Sequence, residues 1–380
     1  MENFIFQNPT KLVFGKGQIA RLKDLLPHDK KIMVTFGGGS VKKNGIYEQV
    51  VSALQGFNYI EFWGIEANPQ VETLRKAIAE GKEKGIEFLL AVGGGSVLDG
   101  TKLIAAGIAS DIDAWEIVLS GEAEKQIPFA SVMTVPATGS EMNGGAVITR
   151  SETKEKFAFH AANPQFSILD PEVTYSLSEK QVAYGLADAF THVMEQYLTT
   201  TGQSRIMDRW AEGIMQSIVE IAPEIKKNPQ DYDLMSDYML AATLALNDFI
   251  RMGISQDWST HMIGHELTAL HGVAHGHSLA IVMPGTMRIL KQQKRDKIAQ
   301  LGERVFDIVL GNEEERVDKT IQAVENFYRS LGLTTRLSEE GIGEETIETI
   351  RKRFNDRGVA LGENRNITGE VAKEILMSQL

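Results

Sequence analysis

The chain has 380 residues, 43% of them hydrophobic and 24% charged, so it is long enough for two globular domains and too ordinary in composition for a disordered or fibrous protein. A net charge of -12 argues against a general nucleic-acid binder, which needs a positive surface toward phosphate. Cysteine is absent, which excludes disulfides, thiolate nucleophiles and cysteine-ligated metals and leaves His, Asp, Glu and carbonyl oxygen as metal donors.

The N-terminal MENFIFQNPT has no basic segment followed by an apolar run, and no stretch approaches the ~18 unbroken apolar residues of a membrane span. A cytoplasmic protein without a membrane or nucleic-acid partner is expected. Through the first half, short β-branched runs alternate with glycine clusters and helical patterns, as in an α/β unit with a parallel sheet. The run at 31–36 leads into Gly37-Gly38-Gly39-Ser40, that at 88–92 into Gly93-Gly94-Gly95-Ser96, and that at 131–135 into Pro136-Ala137-Thr138-Gly139-Ser140. Ligands of open parallel sheets bind at the carboxyl ends of strands, so these loops are expected to share one cleft.

A glycine-rich turn that opens a helix presents N–H groups to phosphate, and a pyrophosphate-bearing cofactor is the natural occupant. The competing reading is a plain tight turn in which Ser96 caps the helix. Neither loop has the G-x-G-x-x-G spacing. Between Gly37 and Ser40 there is no Asp or Glu to meet a free ribose 2′-hydroxyl, while Ser40, the backbone and Lys42 and Lys43 suit a 2′-phosphate, unless those lysines are merely solvated.

Beyond Leu169-Asp170-Pro171 a helical period persists to Leu380, which predicts an α/β domain over 1–178 and an all-helical domain over 179–380. One predicted helix carries Leu186, Ala187, Phe190, Val193, Met194 and Tyr197 on its apolar face, with Asp188 and His192 on the polar one, where such a pair is commonly a surface pair. The stretch 258–277 changes that balance, because five of the eight histidines fall within seventeen residues. There His261 and His265 share one side of a helix whose other side carries Ile263, Leu267 and Leu270; Gly272 reads as its stop and His275 as a turn residue folding back. Asp188, His192, His261 and His275 would make a mononuclear site of one carboxylate and three imidazoles, suited to zinc or iron. His265-Glu266 begins like a zincin motif, but the next histidine stands six residues on, which argues against a metalloprotease.

Together, Gly93-Gly94-Gly95-Ser96 with Asp99 and Lys102, Thr138-Gly139-Ser140-Glu141, Leu169-Asp170-Pro171, Gly185 through His192 and His261 through His275 resemble the iron-containing (group III) alcohol dehydrogenase family. The resemblance is to its butanol dehydrogenase and NADPH-dependent aldehyde reductase branch, and it runs along nearly the whole chain. It implies a dinucleotide-binding α/β domain followed by an all-α domain, the dehydroquinate synthase-like architecture. The implied protein is a homodimeric, metal-dependent NADP(H) oxidoreductase interconverting aldehydes and primary alcohols.

Position by position, the resemblance makes Asp188, His192, His261 and His275 the ligands. It sets Gly94, Gly95 and Ser96 on the pyrophosphate and Asn68, Asp99, Thr138, Ser140, Asn143, Lys156 and Tyr175 around the cofactor, with Lys154 as the neighbouring alternative to Lys156. The loop of Gly37, Gly38, Gly39 and Ser40, lacking the acid of NAD-using members, follows the NADP-using branch. His265 is the candidate proton relay, its alternative a hydrogen-bonding residue of the cleft. A metal-dependent hydrolase would leave the glycine loops unexplained, and a lyase acting on a phosphorylated acid would need more basic residues near the histidines.

Overall fold

Eight short strands form where β-branched and aromatic residues cluster between glycine-rich turns. In the computed structural model, which describes residues 1–200 and 204–380, they are β1 (Lys11–Phe14), β2 (Ile32–Phe36), β3 (Tyr59–Phe62), β4 (Phe88–Gly93), β5 (Phe129–Met133), β6 (Gly145–Arg150), β7 (Glu155–His160) and β8 (Phe166–Leu169). Six build one parallel sheet in the order β1-β8-β5-β4-β2-β3, while β6 and β7 pair antiparallel. The inner strands β2, β4, β5 and β8 are buried along their whole length and so read as unbroken apolar runs.

The third strand lies two residues earlier than the sequence predicts, since β5 ends at Met133. The chain steps outward from β2 to β3 and then returns to β4 on the other flank of β2. Strand order therefore reverses between β2 and β4, where an open α/β sheet forms its ligand crevice. Pairing of Phe36 with Val92 and of Gly93 with Met133 brings the carboxyl ends of β2, β4 and β5 level, so the three glycine-bearing loops leave the sheet side by side.

The helices of this half are α1 (Leu22–Leu25), α2 (Ile46–Ala53), α3 (Val71–Lys84), α4 (Gly95–Ile108) and α5 (Ala114–Ser120). They are followed by α6 (Glu179–Tyr197), α7 (Arg205–Lys227), α8 (Tyr232–Ala245), α9 (Ser259–His271), α10 (His275–Ile289), α11 (Arg295–Val305), α12 (Glu313–Ser330), α13 (Glu344–Asp356) and α14 (Gly369–Met377). Two compact units result, one of Gln7–Ser178 with Pro229–Thr243, the other of Met1–Phe6, Glu179–Asn228 and Leu244–Leu380. Among the described residues no helix is long and apolar enough to cross a membrane.

In the helical unit, α6 is buried on every side from Val182 to Tyr197 except at Tyr184. Its supposed polar face is thus interior, and Asp188 and His192 are only 2% and 3% exposed, which corrects the surface-pair reading. Helix α10 packs on both α6 and α9. That packing needs glycine: a Cβ on Gly276 would stand 2.2 Å from the Tyr184 carbonyl oxygen, and one on Gly264 would meet Ser278 Oγ at 2.8 Å.

Candidate functional site

Helix α6 presents Asp188 and His192 one turn apart, α9 brings His261, and α10 begins at His275. His275 is therefore the first residue of a helix and not a turn residue, because the break after α9 lasts only from Gly272 to Ala274. The four donor atoms lie within 4.8 Å of one another. Nε2 of His192, His275 and His261 stands 3.6, 3.5 and 3.9 Å from Asp188 Oδ1. Tetrahedral ligands with bonds of about 2.0–2.1 Å lie about 3.3–3.4 Å apart, so the cluster has the dimensions of a divalent-metal site.

His261 Nε2 is buried without a hydrogen-bond partner among the described residues, as a nitrogen reserved for a metal would be. Oxygen and imidazole donors without sulfur fit zinc or ferrous iron, so the residues present fit the group. The Trp258 ring lies edge-on to the rings of His192 and His261. His265, 5% exposed and so not on a wet face of α9, sits with its ring 5.2 Å from that of His275. Sequence reading missed Glu195, which is hydrogen-bonded to His261. Its position three residues after His192 and seven after Asp188, on the same helix side, is the signal that marks it.

In the α/β unit, β4 runs directly into α4, with Gly94 at the N-cap. Ser96 lies inside the first turn, where its Oγ accepts the Asn68 N–H at 3.2 Å, which corrects its reading as the cap. A Cβ on Gly94 would meet Val135 at 2.8 Å and one on Gly95 would meet Thr138 Oγ1 at 2.4 Å, so close packing already demands glycine there. At Gly38 and Gly39 nothing stands within 4 Å, and packing does not account for those glycines.

Lys156, on β7, donates to Asn68 Oδ1 at 2.8 Å and is buried, whereas Lys154 is exposed in the β6–β7 turn. Asp99, Ser140 and Asn143 are tied together by Lys102, a fully buried lysine on α4. Its Nζ donates to Ser140 Oγ at 2.7 Å, Asn143 Oδ1 at 3.3 Å and the Gly145 carbonyl at 2.6 Å. Ser140 Oγ passes its own hydrogen to Asp99 Oδ1, and Thr138 Oγ1 accepts the Ser140 N–H. Burial pushes the Asp99 carboxyl upward, opposed by Lys102, Ser140 and the Val147 N–H.

Lys102→Met would remove the donor shared by Ser140 Oγ, Asn143 Oδ1 and the Gly145 carbonyl, and the more effective of the two positive charges, Lys102 and Lys156, that oppose the burial of Asp99. We expect a loss of about 3 kcal/mol or more, measured by denaturant unfolding, with weaker binding of a nicotinamide cofactor. Tyr175 lies half-buried in the 3-10 helical stretch Pro171–Ser176 after β8, and burial raises its phenol. Lys42 is exposed, with its ammonium 3.8 Å above the Trp63 ring, which in turn stacks on Phe36. The contact is a cation–π one.

Known proteins supply the class. The family model for iron-containing alcohol dehydrogenase matches residues 9–171, and the C-terminal model of the Fe-containing alcohol dehydrogenase family matches residues 182–380. The chain belongs to the iron-containing alcohol dehydrogenase family. It is 48% identical to the NADPH-dependent aldehyde reductase YqhD of Escherichia coli, with 99% of each chain covered. It is 39% identical to the probable NADH-dependent butanol dehydrogenase 1 of Bacillus subtilis, over 100% of each. The crystal structure of Escherichia coli K-12 YqhD superimposes with a TM-score of 0.98 at 47% identity, covering 100% of this chain and 99% of that one. None of these relatives is a hydrolase or a lyase.

Proposed function

We propose that the protein is an NADPH-dependent aldehyde reductase, interconverting aldehydes and primary alcohols with one divalent metal ion, iron or zinc, per chain. The observation that carries the reading is the cluster of Asp188, His192 and His261, all buried, with half-buried His275, in a chain of this family. When bound, the cofactor supplies a hydride and the metal a Lewis acid that polarises the carbonyl. Asp188 and the three imidazoles hold the metal. One anionic and three neutral ligands leave the site with net positive charge, suited to a developing alkoxide oxygen.

Gly94, Gly95 and Ser96 at the start of α4 support pyrophosphate binding through backbone N–H groups and the helix dipole. Asn68, held by Lys156, and Ser140 and Asn143, held by Lys102, give the same unit a fixed polar surface for the rest of the cofactor. Asp99 and Thr138 brace that surface through Ser140, and Tyr175 belongs to it only by family likeness. The loop from Gly37 to Ser40 takes the 2′-phosphate. The family likeness also supports a homodimer, to be read from the molar mass in solution.

The test is NADPH oxidation against a panel of aldehydes by metal-stripped protein, with and without added Fe²⁺ or Zn²⁺. Metal-dependent turnover of several aldehydes is expected; no oxidation with any aldehyde and either metal would reject the function. His265 is assigned to deliver the proton to the alkoxide oxygen, since it borders the cluster without belonging to it. For His265→Ala we expect unchanged metal content and a kcat lower by about 100-fold. Loss of metal would make His265 a ligand, and an unchanged kcat would leave it a lining residue.

A further inference from the structure

Helix α9 starts badly on its own sequence. Its N-cap is Trp258, in the left-handed conformation and with no side chain able to accept the first N–H groups. Asp257 takes the N–H and hydroxyl of Ser259, and the next two N–H groups go to α6: Glu195 Oε1 accepts Thr260 N–H at 2.7 Å, and Oε2 accepts His261 N–H at 3.1 Å. The same Oε2 also meets Nδ1 of the His261 ring. Glu195 is 2% exposed. Two backbone N–H donors, one to each oxygen, are the surroundings of a carboxylate, which has no hydrogen to offer.

A ring nitrogen facing a pure acceptor must carry the proton. His261 is thereby held as the Nδ1–H tautomer, with the Nε2 lone pair on the side of Asp188 Oδ1. We propose that Glu195 is the positioning residue of the metal site. By binding the ring and the backbone of His261 with one carboxylate, it fixes both the tautomer and the orientation of the ligand before metal arrives. This rests on the four-donor reading above. Gln at 195 cannot reproduce it: with its oxygen toward the ring, its NH₂ opposes the Thr260 N–H, and flipped, its NH₂ donates to Nδ1 and drives the proton onto Nε2.

The experiment measures Zn²⁺ affinity of the full chain by competition with a chromophoric chelator, for the wild type, Glu195→Gln and Glu195→Asp, alongside circular dichroism. The tautomer of His261 is read by ¹⁵N NMR of the metal-free wild type. We expect Nδ1–H in the wild type, Zn²⁺ binding weakened about 10- to 100-fold in Glu195→Gln with helicity kept, and partial recovery in Glu195→Asp. Wild-type affinity in a folded Glu195→Gln, or one that loses only thermal stability, would overturn the proposal. So would an Nε2–H tautomer in the wild type, a result that does not depend on any variant folding. A wild type that binds no Zn²⁺ would instead reject the four-donor site itself.

Discussion

His261→Ala is expected to strip the protein of metal and of turnover together while leaving NADPH binding nearly intact. The substitution removes one of four donors, and Asp188 with two imidazoles is left to hold the metal more weakly. Folding should survive, since residue 261 keeps its backbone N–H for Glu195 and Thr260 keeps its own bond. The glycine loops and the Lys102 network lie in the other compact unit, so cofactor affinity, read by the fluorescence of bound NADPH, should change little. We expect kcat to fall at least about 100-fold in step with metal content, because the Lewis acid that stabilises the oxyanion is lost. Full occupancy with reduced turnover would show that His261 acts on the substrate and is not a ligand.

The four-residue cluster was legible because chemistry left few choices: without cysteine, imidazole and carboxylate are the side-chain donors that remain, and the histidines of α9 and α10 are closely spaced. What the sequence hid was burial. Asp188 and His192 read as the wet side of an amphipathic helix, yet α6 is enclosed, and Gln196 on the same helix donates to the carbonyl of Ala245. Lys102 was hidden in the same way. It entered the sequence reading as a motif residue without a stated role, and the placement of Ser140, Asn143 and Gly145 around its ammonium is what makes an interior lysine tolerable.

The edge strands were also silent, since β1 and β3 are four residues long and only half-buried and carry too little pattern to register. Of the inner strands, β2, β4 and β5 with the glycine-bearing loops that follow them announced themselves, and β8 did not. That is why the crevice between β2 and β4 could be placed when the hairpin of β6 and β7, which carries Lys156, could not.

Coenzyme choice is where overall likeness gives no answer, because one relative is named for NADPH and the other for NADH. The expectation comes from the loop after β2. With no carboxylate from Gly37 to Ser40 and the Lys42 ammonium over Trp63, the wild type is expected to show a higher kcat/KM with NADPH than with NADH. Gly39 would be a natural site for a switching acid, but its φ of +95° would strain any side chain. Gly38 has no such constraint and open space at its Cβ, so Gly38→Asp is the cleaner test. A carboxylate there would face the 2′-phosphate with like charge, a juxtaposition that costs several kcal/mol, while it could accept hydrogen bonds from the free ribose hydroxyls of NADH. We expect kcat/KM with NADPH to fall about 100-fold or more and that with NADH to hold or rise, with metal content unchanged. Lys42→Ala should raise KM for NADPH alone, and less so at high salt, where the ammonium is already screened. A wild type faster with NADH, or a Gly38→Asp variant that weakens both coenzymes equally, would place the 2′-position of the ribose away from this loop.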